Sequence, residues 1–164
     1  MRARLVERLA PLASAAHREI SGTGERLALE FLPGNSADFA SDLANSRMQE
    51  TRLRPTIVGP HRDDIQILVE ANAANHYASE GQQRTVALAL KIAQSRVFMM
   101  EEGTPPLLLI DDIFGELDPV RRNSLLQHLP ADAQKLVTAT TMQWRENCVA
   151  GPVFELKDGM LIRG

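Results

Sequence analysis

Two acidic residues, Asp111 and Asp112, stand directly behind the apolar run Leu107-Leu108-Leu109-Ile110. A continuous apolar run of this length is the pattern of a strand buried on both faces in a parallel sheet. Ligands in open α/β sheets bind beyond the carboxyl ends of such strands. Carboxylates delivered there can do two jobs. One can hold a magnesium ion, through water because magnesium dehydrates reluctantly. The other can orient or deprotonate an attacking water. The competing reading is a strand followed by an acidic turn, with Asp112 capping a neighbouring element.

A second group, Ser79-Glu80-Gly81-Gln82-Gln83-Arg84-Thr85, has the spacing of a capping box, with Ser79 as N-cap and Gln82 three residues later. Exposed N–H groups and partial positive charge at a helix start suit a phosphate. Gly81 lets the backbone come close, and Ser79 offers a hydroxyl. The plainer reading is that Ser79 and Gln82 only close the end of the helix. His61 and Arg62 lie in a Gly-Pro-His-Arg turn, where they either contact nucleotide or DNA or serve the turn itself. His17, His76 and His128 are scattered, and no spacing brings two of them onto one helical face as a metal site requires. Tyr77 and Trp144 stand alone and read as core or rim rather than stacking platforms.

The elements that must position these residues are legible in outline. Leu5, Leu9, Leu12, Ala13, Ala16 and Ile20 form one stripe of an amphipathic helix, stopped by Ser21-Gly22-Thr23-Gly24. Leu27, Leu29 and Phe31 alternate as in a half-buried strand closed by Pro33-Gly34. Ser36 or Asp38 caps a second helix reaching about Thr51, and Pro55 closes this first section. Thr56 to Pro60 reads as a short strand and turn, Ile65 to Val69 as a strand, and Asn72 to Asn75 as a turn. The helix opened by Ser79 runs to about Met100, broken by Gly103-Thr104-Pro105-Pro106. Asp118-Pro119 supplies N-cap and N1 of a helix reaching about Leu129. Lys135 to Thr140 follows as a strand, and Val153 to Leu161 as a hairpin turning at Asp158-Gly159. Alternation of this kind predicts an α/β fold: parallel strands with crossover helices and a terminal β-hairpin, preceded by a mainly helical segment. The division falls at residues 1–55 and 56–164.

Composition narrows the classes. The 164 residues carry 44% hydrophobic and 24% charged side chains, ordinary for a globular protein. A net charge of −3 gives no sign of a surface built to grip nucleic acid by bulk charge. The single cysteine, Cys148, excludes an intramolecular disulfide and a cysteine-based zinc site, and fits a cytoplasmic setting. The start, from Met1-Arg2-Ala3-Arg4 to Ala13-Ser14-Ala15, has the outline of a signal peptide, but Glu7 and Arg8 interrupt its apolar stretch. It reads as a helix, and no run approaches the ~18 apolar residues of a membrane span.

Taken in order, a Ser-x-Gly-Gln helix start, an apolar strand ending in two acids, and Gly115-Glu116-Leu117-Asp118 resemble the signature motif, Walker B strand and D-loop of ABC-type ATPases. The wording is closer still to the RecF family, SMC-like proteins of bacterial DNA replication, repair and recombination. Val58-Gly59-Pro60-His61-Arg62-Asp63-Asp64, Gly81-Gln82-Gln83-Arg84-Thr85 and the acids from Asp111 to Asp118 all match its strings. The N-terminal section resembles that family's helical second domain.

The resemblance implies an ATP- and Mg2+-dependent ATPase head. Asp111 is then the magnesium-site aspartate, and Asp112 stands where most ABC ATPases have a catalytic glutamate. Asp118 is the D-loop residue that acts across a dimer. Ser79, Gly81, Gln82 and Gln83 form the signature turn that meets the γ-phosphate held by the opposite subunit. Thr140 and Thr141 occupy the region where other ABC ATPases have a switch histidine. Glu80 departs from the family pattern and is expected to face solvent, since turned inward it would repel ATP. The implied partners are a second copy of the parent protein, DNA, other recombination mediator proteins, and an N-terminal half carrying the phosphate-binding loop.

That loop, Gly-x-x-x-x-Gly-Lys-[Ser/Thr], is not in this sequence. The expectation is a natural or experimental truncation, or a reading frame begun late, that cannot hydrolyse ATP alone. Another SMC-like ATPase, or a non-catalytic or split module needing a P-loop-bearing partner, remains the alternative.

Overall fold

The computed structural model describes residues 1–141 and 151–163; Trp144 and Cys148 lie outside the described residues. Helix α1 (Arg2–Ser21) buries Ala13, Ala16 and Ile20 of its stripe, with Val6 in place of Leu5, which is 51% exposed, and Gly22 ends it in the left-handed conformation at φ 65°. Strand β1 (Leu27–Leu32) follows, with Leu27 and Leu29 buried. Helix α2 (Phe39–Leu53) starts at Asp38, whose side chain accepts from the Ser41 N–H. Of the two capping residues open to it, the chain uses the aspartate.

The segment expected as a strand and turn at Thr56 to Pro60 takes another form. Pro60–Arg62 make a single 3-10 turn, and Thr56 to Val58 enter no strand. Local bonds occupy this backbone instead. The Ile57 N–H donates to Glu50 at 2.8 Å, and Arg62 donates twice to the Thr56 carbonyl, at 2.9 and 2.6 Å. Gly59 sits at φ 130°, ψ 175°, a region that glycine alone occupies without strain.

Strand β2 (Asp64–Val69) pairs antiparallel with β1, from Leu27 opposite Val69 to Leu32 opposite Asp64. The turn expected at Asn72 to Asn75 falls two residues earlier, at Glu70 and Ala71, both at positive φ. Asn72–Ala73 form strand β3 on β2, and Ala74–Tyr77 form one helical turn, α3. The Asn72 side chain is still used locally, donating to the Glu70 carbonyl at 3.1 Å. Propensity alone would not place Glu and Ala at those dihedrals.

Helix α4 (Glu80–Glu102) is the long central element, ended by Gly103 at φ 68°. Strand β4 (Leu108–Asp111), a short helical turn α5 (Ile113–Glu116), helix α6 (Pro119–His128) and strand β5 (Lys135–Thr138) complete a β-α-β unit. Strands β4 and β5 are parallel, Leu109 opposite Leu136, Ile110 opposite Val137 and Asp111 opposite Thr138. A final hairpin joins β6 (Phe154–Lys157) to β7 (Met160–Arg163) through Asp158 and Gly159.

One apolar cluster unites these parts. It runs from Val6, Ala13, Ala16 and Ile20 through Leu27, Leu29 and Val69 to Ala89, Ile92, Ala93, Phe114 and Leu125. Helix α1 packs along α4, each presenting fully buried alanines that allow close approach. Segments on both sides of residue 55 therefore share this core.

The expectation that Leu107 to Ile110 would be buried on both faces is not met. Ile110 and Val137 pack on the core, whereas Leu107, Leu109 and Leu136 are 56%, 71% and 61% exposed. The physical reason is the layer count: the described residues cover the β4–β5 pair on the α4 side and leave the other face open.

Candidate functional site

The open face of β4–β5 leads to the carboxylates. Asp111 ends β4 opposite Thr138, whose hydroxyl donates to Asp111 Oδ1. Asp112 leaves the strand in the left-handed conformation, φ 44°, its N–H held by the Thr138 carbonyl at 3.1 Å. Asp112 Oδ1 in turn accepts from the N–H and hydroxyl of Thr140, both at 3.2 Å. Thr140, singled out in sequence, thus reaches the carboxylate pair. Thr141 is exposed with no such contact described. Thr138 was missed, although its alternation with Thr140 placed one hydroxyl every second residue at the end of a strand.

Both carboxylates are exposed. Among the described residues no group of three or more His, Cys, Asp or Glu side chains is arranged to enclose a metal. A magnesium ion held by one carboxylate with water and phosphate oxygens needs no such cage.

The α4 start is the second part of the site. Ser79 Oγ accepts from the Gln82 N–H at 3.3 Å, and Gln82 Oε1 accepts from the Ser79 N–H at 2.8 Å, a complete capping box. The other end of the Gln82 amide donates to Glu25 Oε1 at 2.8 Å. Gln83 is exposed and donates to the Ala78 carbonyl at 3.0 Å. Glu80 faces solvent as expected, its side chain 80% exposed and paired with Arg84 at 2.6 Å. The Gly81 backbone is close-packed by another element: a Cβ there would lie 2.9 Å from Arg121 Nη1.

Asp118 is the N-cap of α6, accepting from the N–H groups of Val120 at 3.1 Å and Arg121 at 3.0 Å. Its second oxygen lies 3.5 Å from Arg121 Nη1. His61 and Arg62 are elsewhere, in the Pro60–Arg62 turn, where both reach the Thr56 carbonyl. That turn is tied down further: Asp63 accepts from the Gly34 N–H at 2.9 Å and from Arg2 at 3.0 Å. The Gly34 bond, and then the Arg2 charge, hold the Asp63 carboxyl below the usual aspartate range.

Beneath the α4 start lies His17, fully buried, with neither ring nitrogen in a hydrogen bond among the described residues. Burial lowers its pKa; nearby Glu25 opposes the shift and Arg121 adds to it. Glu25 and Arg121 carry no spacing signal in the sequence, and His17 reads there only as a scattered histidine unsuited to a metal site.

No family model matches the chain. Relatives named DNA replication and repair protein RecF do. That of Rippkaea orientalis is 40% identical over 161 residues, covering 89% of this chain and 42% of the relative. That of Symbiobacterium thermophilum is 42% identical over 154 residues, covering 87% of this chain and 41% of the relative. Among solved structures, the recombination mediator protein RecF in its ATP-bound form superposes with a TM-score of 0.78 at 27% identity, over 99% of this chain and 45% of that one. An SMC head bound to the C-winged helix domain of ScpA, at 17% identity and TM-score 0.64, shares the fold over 98% of this chain and 43% of its own. By sequence and by fold this chain is similar, along most of its length, to part of the RecF proteins, and it spans less than half the length of the curated relatives it matches.

Proposed function

We propose that this chain supplies the signature turn, the Walker B carboxylates and the D-loop of an ATPase head that dimerises around ATP and acts on DNA in replication and repair. The observation that carries this reading is the open apolar face of β4–β5, which ends in Asp111 and Asp112. A sheet face carrying Leu107, Leu109 and Leu136 is costly to leave in water. The segment that best completes it brings the phosphate-binding loop beside the two acids. Asp111 would then hold Mg2+, which would supply positive charge against the phosphates, while Asp112 takes the place of the base that orients the attacking water, and Thr140 positions it. Ser79, Gly81 and Gln82, with Gln83 beside them, address the γ-phosphate bound by a second head, and Asp118 faces that head across the dimer. His61 and Arg62 mark an exposed edge for DNA or nucleotide. Within this reading residues 1–55 form an arm that lends α1 and β1 to the core of the lobe formed by 56–164. A soluble cytoplasmic protein working with other recombination mediators fits this role; among the described residues no helix is long and apolar enough to cross a membrane.

A second reading gives Asp112 a structural role only. Its favouring observation is that Asp112 Oδ1 already accepts two bonds from Thr140.

Calorimetry of ATP binding tests the proposal, comparing this chain alone with this chain plus a segment carrying the P-loop. The expected result is binding in the mixture only, with Mg2+-dependent turnover lost in Asp111→Asn. Binding by this chain alone overturns it. In the active mixture, Asp112→Asn is expected to keep ATP binding and dimerisation and to block hydrolysis; unchanged turnover assigns Asp112 to structure.

A further inference from the structure

We infer that Arg121 is a positioning residue that ties the α4 turn to the loop ending in Asp118, with Glu25 bracing the same turn from the α1 side. This rests on the proposed role of both segments in contacting ATP and the second head. Arg121 stands at the junction. Its Nη1 lies 3.5 Å from Asp118 Oδ2 and fills the space where a side chain at residue 81 would begin, 2.9 Å from that Cβ position. A guanidinium is planar, always charged and rigid in its donor geometry. Its place over Gly81 and beside Asp118 sets it between the two segments.

The opposite side of the turn is fixed independently. Gln82 Nε2 donates to Glu25 Oε1 at 2.8 Å while Gln82 Oε1 accepts from the Ser79 N–H at 2.8 Å, so both ends of the amide are engaged. The Thr85 hydroxyl holds the Gly81 carbonyl at 2.8 Å from inside the helix. The base of the site is the buried His17, on which Glu25 and Arg121 act with opposite sign. Glycine at 81 is thus explained by more than ligand approach: it leaves room for Arg121. The two segments that must meet the second head approach each other at this one side chain.

Two measurements test this. In the present chain, Gly81→Ala is made in wild-type and Arg121→Gln backgrounds and each variant is unfolded in urea. Alanine favours the helix, so the midpoint is expected to rise in the Arg121→Gln background, where the shorter side chain leaves space. It is expected to fall or stay level when Arg121 is present. Equal shifts in both backgrounds overturn the contact.

In the chain assembled with a P-loop-bearing segment, Arg121→Gln is expected to weaken ATP-dependent dimerisation roughly tenfold while ATP affinity of each head stays unchanged. Arg121→Lys, which keeps the charge beside Asp118, is expected to recover part of the loss. Wild-type dimerisation by Arg121→Gln, or a parallel loss of ATP binding, overturns the positioning role. Failure of the wild-type assembly itself to dimerise with ATP sinks the proposed function and the trans role of Arg121 with it. The urea cycle then still decides whether Arg121 and Gly81 are linked.

Discussion

Replacing Asp118 separates what its carboxylate does for the fold from what it is proposed to do across a dimer. The side chain caps α6 by accepting from Val120 and Arg121, and its second oxygen is 3.5 Å from the Arg121 guanidinium. Loss of an N-cap to alanine costs about 1 kcal/mol, within a range of about 0.5–2. The negative charge at a helix start adds about 0.3–1 kcal/mol. The ion pair is half exposed on the aspartate side, so screening leaves it no more than about 0.5 kcal/mol. Asp118→Ala is therefore expected to lose about 1.3–2.5 kcal/mol, a drop in Tm of roughly 3–10 °C for a chain of this size.

Asp118→Asn keeps an oxygen that caps as well as aspartate. It forfeits only the charge-dependent part, about 0.3–1 kcal/mol. Urea unfolding followed by circular dichroism at equilibrium compares the two variants with wild type. If asparagine costs as much as alanine, the cap is not what the carboxylate supplies and the reasoning from α6 fails. If asparagine holds the fold yet the assembled head no longer dimerises with ATP, the charge itself is needed at the interface.

Three further outcomes follow from the packing and the charges. Ile20→Ala removes a fully buried side chain between α1 and its neighbours and is expected to cost about 2–5 kcal/mol in urea unfolding; a loss under about 1 kcal/mol would mean that the site collapses around the gap. Gly59→Ala forces a Cβ into φ 130°, ψ 175° and is expected to cost about 1–3 kcal/mol, checked by thermal unfolding. His17 titrates below its ordinary 6.5 because it is buried, so the unfolded chain binds a proton that the folded chain refuses. Its contribution is complete above that ordinary value and is lost as pH falls from about 6.5 toward the lowered folded pKa. Asp38 and Asp63, also lowered, act in a separate window, since their stabilisation is present above their ordinary 3.8 and lost as pH falls through their folded values. His17→Leu is expected to flatten stability just below about pH 6.5 while leaving the acid limb intact; an unchanged slope there would exclude His17 as its source.

Sequence showed α1, α4 and α6 well because each carries its signal locally: a stripe for α1, a capping box for α4, Asp-Pro for α6. The carboxylates were visible for the same reason, lying at the end of an apolar run. What sequence could not show depends on partners distant along the chain. Whether Leu109 is buried is decided by the layer on its far side, not by the run that contains it. The turn at Glu70 and Ala71 is imposed by the pairing of β2 with β3, against the preferences of both residues. Arg121 acquires its place only when α6 lies against the α4 start, and nothing around it in sequence marks that approach.

The packing of α1 against α4 has a consequence for biosynthesis. Helix α1 ends at Ser21, whereas α4 is complete only at Glu102. At ordinary elongation speeds the ribosome needs roughly 4–16 s to make the intervening chain. For that interval Val6, Ala13, Ala16 and Ile20 have no permanent cover, and β1 likewise waits for β2. Helix α1 therefore keeps its apolar side uncovered until α4 has been made. Ribosome pausing between these helices is the point at which aggregation or proteolysis would claim the chain.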